Sequence, residues 1–72
     1  MELGQVCLRR GEERDLLGGG LWVFDNEIDW VDDLCEDGDV VEVLDSRQRP
    51  MGLGFFNGRS KIAVRMLTRT ES

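Results

Sequence analysis

The sequence predicts a mostly β domain with one short helix, in which about five to six short strands close into a partly open barrel. Three observations predict it. Residues 40–68 carry three alternating apolar runs separated by turn signals. Two further short runs, near residues 4–9 and 21–24, have the same extended character, and the one stretch with helical character is too short to stand alone. The chain has 72 residues, so it holds one domain at most, and its 40% apolar and 33% charged residues are a globular composition.

Taken in order, Gly4 to Arg9 alternates, with Val6 and Leu8 on one side and Cys7 and Arg9 on the other, as a first strand does. Glu12 to Leu17 suits one and a half turns of helix. Glu12 and Glu13 face its positive end, and Gly18 is available as the left-handed residue that stops it. After Gly18-Gly19-Gly20 comes Leu21-Trp22-Val23-Phe24, a short strand with Trp22 and Phe24 on one face. Asp25 to Asp39 is acidic and irregular and reads as a loop-rich crossing pegged by Ile28, Trp30, Val31 and Leu34. Asp37-Gly38-Asp39 is a turn, Val40 to Asp45 a strand, and Ser46 to Pro50 a hairpin loop. Met51 to Phe56 returns with Met51, Leu53 and Phe55 on one face. The opposite face has Gly52 and Gly54, and glycines inside a strand signal bulges, sharp coiling or a second backbone close by. Asn57-Gly58 turns the chain into a last strand, in which Ile62, Val64 and Met66 alternate with Ala63, Arg65 and Leu67. Residues 40–68 are thus expected to form a three-stranded antiparallel meander.

Composition excludes several function classes. The uncharged stretch Leu16 to Phe24 is nine residues with three glycines, against the roughly 20 apolar residues that a spanning helix needs. No membrane partner is expected, and with Glu2 where a signal peptide would be basic, the chain reads as cytoplasmic. There is no histidine, which removes Ser-His and Cys-His nucleophilic sites and mixed zinc sites. Cys7 and Cys35 form no C-x-x-C pair and read as reduced, buried, small apolar residues. An EF-hand register started at Asp33 puts Cys35 at the third ligand position and Leu44 where the bidentate Glu is needed, so the acidic stretch is a solvated loop and no metal site is expected. Gly52-Leu53-Gly54 leads into a strand and lacks the third glycine of a dinucleotide fingerprint, and Lys61 follows no phosphate loop. No catalytic residue and no cofactor are assigned to this chain.

Charge points to a different class. The net charge is −6, but residues 1–39 hold twelve acids and three bases (−9), and residues 40–72 hold three acids and six bases (+3). Eight of the nine bases are arginine, the side chain suited to bidentate phosphate contacts. Arg9, Arg10 and Arg14 near the start, with Arg59, Lys61 and Arg65 near the end, are the expected phosphate contacts. They converge if the first and last strands are neighbours. Gly18-Gly19-Gly20 has two readings, a helix stop or a bare backbone that RNA approaches closely. Trp22 and Phe24 also have two, core residues in a small domain or platforms on which bases stack.

Four ordered segments then carry a resemblance that covers nearly the whole chain. They are Leu8 to Leu17; Trp22-Val23-Phe24-Asp25-Asn26-Glu27-Ile28; Gly38 to Ser46; and Gly52-Leu53-Gly54-Phe55-Phe56-Asn57 followed by Ser60, Ile62 and Val64 to Thr68. Together they resemble the N-terminal PUA domain of class I, S-adenosylmethionine-dependent 23S rRNA cytosine-5 methyltransferases. Gly20-Leu21 stand where that family commonly has His-Pro, and Asn57-Gly58 where it tends to have Asn-Pro. The resemblance implies a PUA-like pseudo-barrel that grips RNA with the short helix, the glycine loop and an adjoining strand, which points to Arg10, Arg14, Gly18, Gly19, Gly20 and Arg65. It also implies 23S rRNA as partner and a catalytic domain in cis that alone binds S-adenosylmethionine. Residues 1–72 are expected to be one accessory module of a longer methyltransferase, with no catalysis of its own. The rival expectation is a structural module that docks on a catalytic domain, or as a homodimer, through Leu21, Trp22 and Trp30.

Overall fold

The structure is a computed structural model that describes residues 3–12, 14 and 20–69. Six strands follow one another: β1 (Gly4–Leu8), β2 (Trp22–Phe24), β3 (Ile28–Val31), β4 (Val40–Leu44), β5 (Pro50–Phe56) and β6 (Ile62–Arg69), with a 3-10 turn at Asp25–Glu27 between β2 and β3. They form one sheet in the order β2-β6-β5-β4-β1-β3. Every pairing is antiparallel except β1 with β4, where Gly4 to Cys7 run beside Val41 to Leu44 in the same direction. The expected meander is β4-β5-β6.

The sheet curls because its two outermost strands are consecutive in the chain. Residues 25–27 tie one edge to the other: the Asp25 N–H donates to the Lys61 carbonyl at 2.8 Å, and the Glu27 carbonyl accepts the Arg9 N–H at 2.8 Å. The buried Glu27 folds back so that its Oε1 accepts the Phe24 N–H at 2.8 Å, which fixes the tight turn. The result is a half-closed barrel, in agreement with the predicted class.

Inside it, Val6, Leu8, Val23, Val41, Val43, Phe56, Ala63 and Val64 form the core, with Ile28, Cys35, Met51 and Met66 against it. Five of these are valines, whose branched side chains suit a pleated surface, and Phe56 is the one aromatic ring among them. Gly52 and Gly54 are buried, and the reason at Gly54 is specific: a Cβ there would lie 2.5 Å from Val64 Cγ1 and 2.7 Å from the Arg65 carbonyl oxygen. The close backbone that the sequence implied is β6, bulged where it crosses β5.

The β4–β5 connection is held by a buried carboxylate. Asp45 Oδ1 accepts the Arg47 and Arg49 N–H groups at 2.8 and 2.9 Å, and Oδ2 meets Arg49 Nε at 3.1 Å. Its carbonyl accepts the Gln48 N–H at 2.9 Å and the Cys7 thiol at 3.2 Å. Gln48 is held at φ +65°, a left-handed conformation uncommon for a residue with a side chain.

Four expectations need correction or restriction. Ile28–Val31 is a strand, because Gly4–Leu8 needs a partner on its outer side and the crossing supplies it. Trp22 and Phe24 are 53% and 43% exposed, because β2 is an edge strand that turns only Val23 inward. The first and last strands are not neighbours: β5 and β4 lie between β6 and β1. The helix expected at 12–17 falls mostly outside the described residues; Glu12 is in a turn and Arg14 has helical backbone.

Candidate functional site

The fold sorts the charges by strand. From residue 46 to residue 70 the chain has six bases and no acid, and residues 46–69 of this stretch are β5, β6 and the loops that precede each of them. The other half of the sheet has Glu42 on β4, Asp29 on β3 and the acidic loop 32–39. One outer row ends on this acidic side: Glu42 Oε1 accepts the Gln5 amide at 2.9 Å, and Asp32 Oδ2 accepts the Gln5 N–H at 2.9 Å. An anion approaching the sheet is therefore favoured on the β5–β6 side and repelled on the β1–β3 side.

Arg65 sits at the centre of the favoured side. In register it lies opposite Trp22 of β2 on one flank and Phe55 of β5 on the other. Residues paired this way share a face with Cβ atoms roughly 5 Å apart. All three are exposed, Phe55 by 47%. Among the described residues no carboxylate pairs with Arg65. The row is thus an aromatic, a guanidinium and a second aromatic on one surface.

A groove of about 220 Å³ opens beside this row, lined by Gly38, Phe55, Phe56, Asn57, Ser60, Ile62 and Arg65. Its polar groups are set by the β5–β6 turn. Asn57 Oδ1 accepts the Arg59 N–H at 3.1 Å and Ser60 Oγ accepts the Ile62 N–H at 3.2 Å. Each oxygen accepts one of these bonds, and the Asn57 amide N–H groups and the Ser60 hydroxyl are donors that the turn leaves for a ligand. Asp37 closes the turn by accepting the Gly58 N–H at 2.8 Å, and Arg59 Nε sits 3.4 Å from its Oδ2 in an exposed, weak ion pair.

The other expected residues are distributed as follows. Lys61 is exposed but lines a shallow cleft with Glu12, Phe24, Asp25, Asn26 and Glu27, where carboxylates outnumber it. Arg9 is exposed, and its Nε–H donates to the Ile28 carbonyl at 3.0 Å, which anchors it to the barrel seam. Arg10 and Arg14 are exposed. Gly20 is half-buried, and Gly18 and Gly19 lie outside the described residues. Pairing brings Trp22 and Arg65 together, and it brings neither Arg9 nor Arg10 to them. Phe55 is the site residue that sequence reasoning missed. Its alternation with Gly54 was visible, but the side on which the glycines lie was not.

Cys7 and Cys35 form no disulfide. The Cys7 thiol is buried, and Cys35 is half-buried beside Asp32, its thiol 3.6 Å from Oδ1. Burial first, and then the Asp32 carboxylate, push the Cys35 thiol from 9.0 up to about 11. That leaves on the order of 100-fold less thiolate at pH 8 than an ordinary cysteine has. Native protein at pH 8 is expected to react with iodoacetamide far more slowly than urea-unfolded protein, as mass spectrometry would read. Equal rates would show that Cys35 is not shielded.

Among the described residues no helix is long and apolar enough to cross a membrane. The family model described as PUA-like domain matches residues 6–69. No curated protein matches the chain.

Proposed function

Since the chain belongs to the PUA-like domain family, whose fold serves RNA binding, we propose that it is the RNA-docking module of an S-adenosylmethionine-dependent 23S rRNA cytosine-5 methyltransferase. In this reading the chain performs no catalysis. Methyl transfer and the methyl donor belong to a catalytic domain in cis, and the whole works in the cytoplasm. The choice of rRNA and of the methyltransferase rests on the ordered sequence resemblance. The observation that carries RNA docking is the segregation of charge by strand, six bases and no acid from residue 46 to residue 70 on a protein of net charge −6. A phosphate chain laid along β5 and β6 meets arginines without crossing the acidic half. Arg9, Arg10 and Arg14, with the glycine loop 18–20, are proposed to extend that contact.

Fluorescence anisotropy with a labelled 23S rRNA fragment tests this. Affinity is expected to fall steeply as salt rises, and Arg65→Ala combined with Arg10→Ala and Arg14→Ala should reduce it on the order of 10-fold or more and flatten the salt slope. Binding that is absent, or indifferent to salt and to these changes, would overturn the proposal. The rival, docking on a catalytic domain or a second copy, is favoured by one observation: Leu21 is 60% exposed next to the exposed Trp22. It predicts association that persists at high salt, because apolar contacts are not screened.

A further inference from the structure

We infer that the outer face of β2, β6 and β5 is a stacking strip for unpaired nucleotides, with Trp22 and Phe55 as base platforms on either side of Arg65, so that the domain selects single-stranded over duplex RNA. This rests on the RNA-docking reading and narrows it to a ligand conformation.

The register gives the geometry. Trp22 and Phe55 both oppose Arg65, so the two rings rise from the same face on strands two apart, roughly 10 Å from each other. An exposed aromatic ring offers a base its flat face. In a duplex those base faces are covered by stacked neighbours, whereas an unpaired chain can splay its bases onto protein rings. The guanidinium between the rings has no carboxylate partner among the described residues. It is therefore available to a phosphate, or to stack on a base as part of the strip.

The adjoining groove supplies what a purely apolar patch lacks. Phe55 and Arg65 belong both to the row and to the groove, and Asn57 and Ser60 add hydrogen-bond donors to it. About 220 Å³ is too small for a helix or a peptide strand to enter, but base edges and sugar-phosphate oxygens can meet those donors. The nearby carboxylate, Asp37, is matched by Arg59. An apolar protein partner would gain nothing from a cation placed between the two rings, and desolvating Arg65 would cost it affinity.

The test uses the intact chain, a short unstructured RNA oligonucleotide labelled at one end, and the blunt duplex of that oligonucleotide with its complement, at one salt concentration. The single strand is expected to bind at least about 10-fold more tightly and to quench the tryptophan fluorescence. Trp22→Leu should abolish most of that quenching. Trp22→Leu and Phe55→Leu should each weaken single-strand binding about 10-fold while leaving duplex binding within about twofold. Arg65→Lys, which keeps the charge but not the flat guanidinium, should lose part of the preference. Both rings are half-exposed, so the leucine variants should keep the wild-type melting profile, and the quenching measurement on unaltered protein is independent of whether they do. Equal or tighter duplex binding, or single-strand binding unmoved in Phe55→Leu, would overturn the strip while leaving RNA docking in place. No binding to either RNA would overturn both, as would salt-resistant self-association that buries Trp22.

Discussion

Gly54→Val is expected to leave no cooperatively folded domain, and Gly54→Ala to cost about 3 kcal/mol. The first methyl group already collides. An ideal Cβ at Gly54 falls 2.5 Å from Val64 Cγ1, 2.7 Å from the Arg65 carbonyl oxygen and 3.2 Å from the Arg65 carbonyl carbon. Val64 is fully buried and cannot swing away, and Arg65 contributes backbone, so relief requires β6 to lift off β5. A domain of this length has a total stability of only about 4–11 kcal/mol, so the alanine variant should melt at least roughly 10 °C below the parent by circular dichroism. Gly58→Ala is the matched control. The nearest atoms to its Cβ would be those of the Phe56 ring, at 3.2 and 3.3 Å, and Asp37 Oδ1 at 3.4 Å. Melting of Gly54→Ala within a few degrees of the parent would refute the close packing of β6 over β5.

The second large effect lies at the other end of β5. Asp45→Ala is expected to destabilise the domain by about 2 kcal/mol at pH 7, since it removes a carboxylate that organises two backbone N–H groups and one guanidinium. Burial alone would raise the pKa of Asp45, because it disfavours the charged carboxylate. The N–H groups of Arg49 and Arg47 and the Arg49 side chain outweigh it and hold the carboxyl below its ordinary 3.8. The folded value is the depressed one, so this contribution is complete above the ordinary carboxylate range and fades as pH falls through the lowered folded value. The gap in stability between parent and Asp45→Ala should therefore be constant from pH 7 down to about 5 and narrow below about 4. Urea titrations at several pH values would measure it. A gap unchanged at pH 3, or one that widens on acidification, would contradict the assigned cause.

These two positions also show how far the sequence could be read. Alternation gave the β4-β5-β6 meander, because the period of apolar residues in Val40 to Asp45 and Ile62 to Leu67 is a local property. Glycine in a strand gave close approach at Gly54, though not which backbone approaches. What was not legible depended on pairings between distant residues. Asp45 read only as the last residue of a strand, and its role became visible when Cys7 and Arg49 were placed around it. The strand Ile28–Val31 was masked by acidic neighbours, and its extended form is imposed by pairing with β1. At the candidate site, Arg65 and Trp22 were singled out from residue type. Their meeting across β2 and β6, and the third member Phe55, follow only from register. Of the two readings of Trp22 and Phe24, the core one fails because β2 turns only Val23 inward and five valines, with Leu8 and Phe56, already fill the barrel.

The 3-10 turn at residues 25–27 has a consequence for association. A sheet of six strands would ordinarily present two long unsatisfied margins on which further chains could polymerise. Here the margins are the three-residue β2 and the four-residue β3, joined head to tail and tethered to Lys61 and Arg9. With so little free ladder, the domain resists fibre formation through its own fold, even while exposed rings stand on its outer wall.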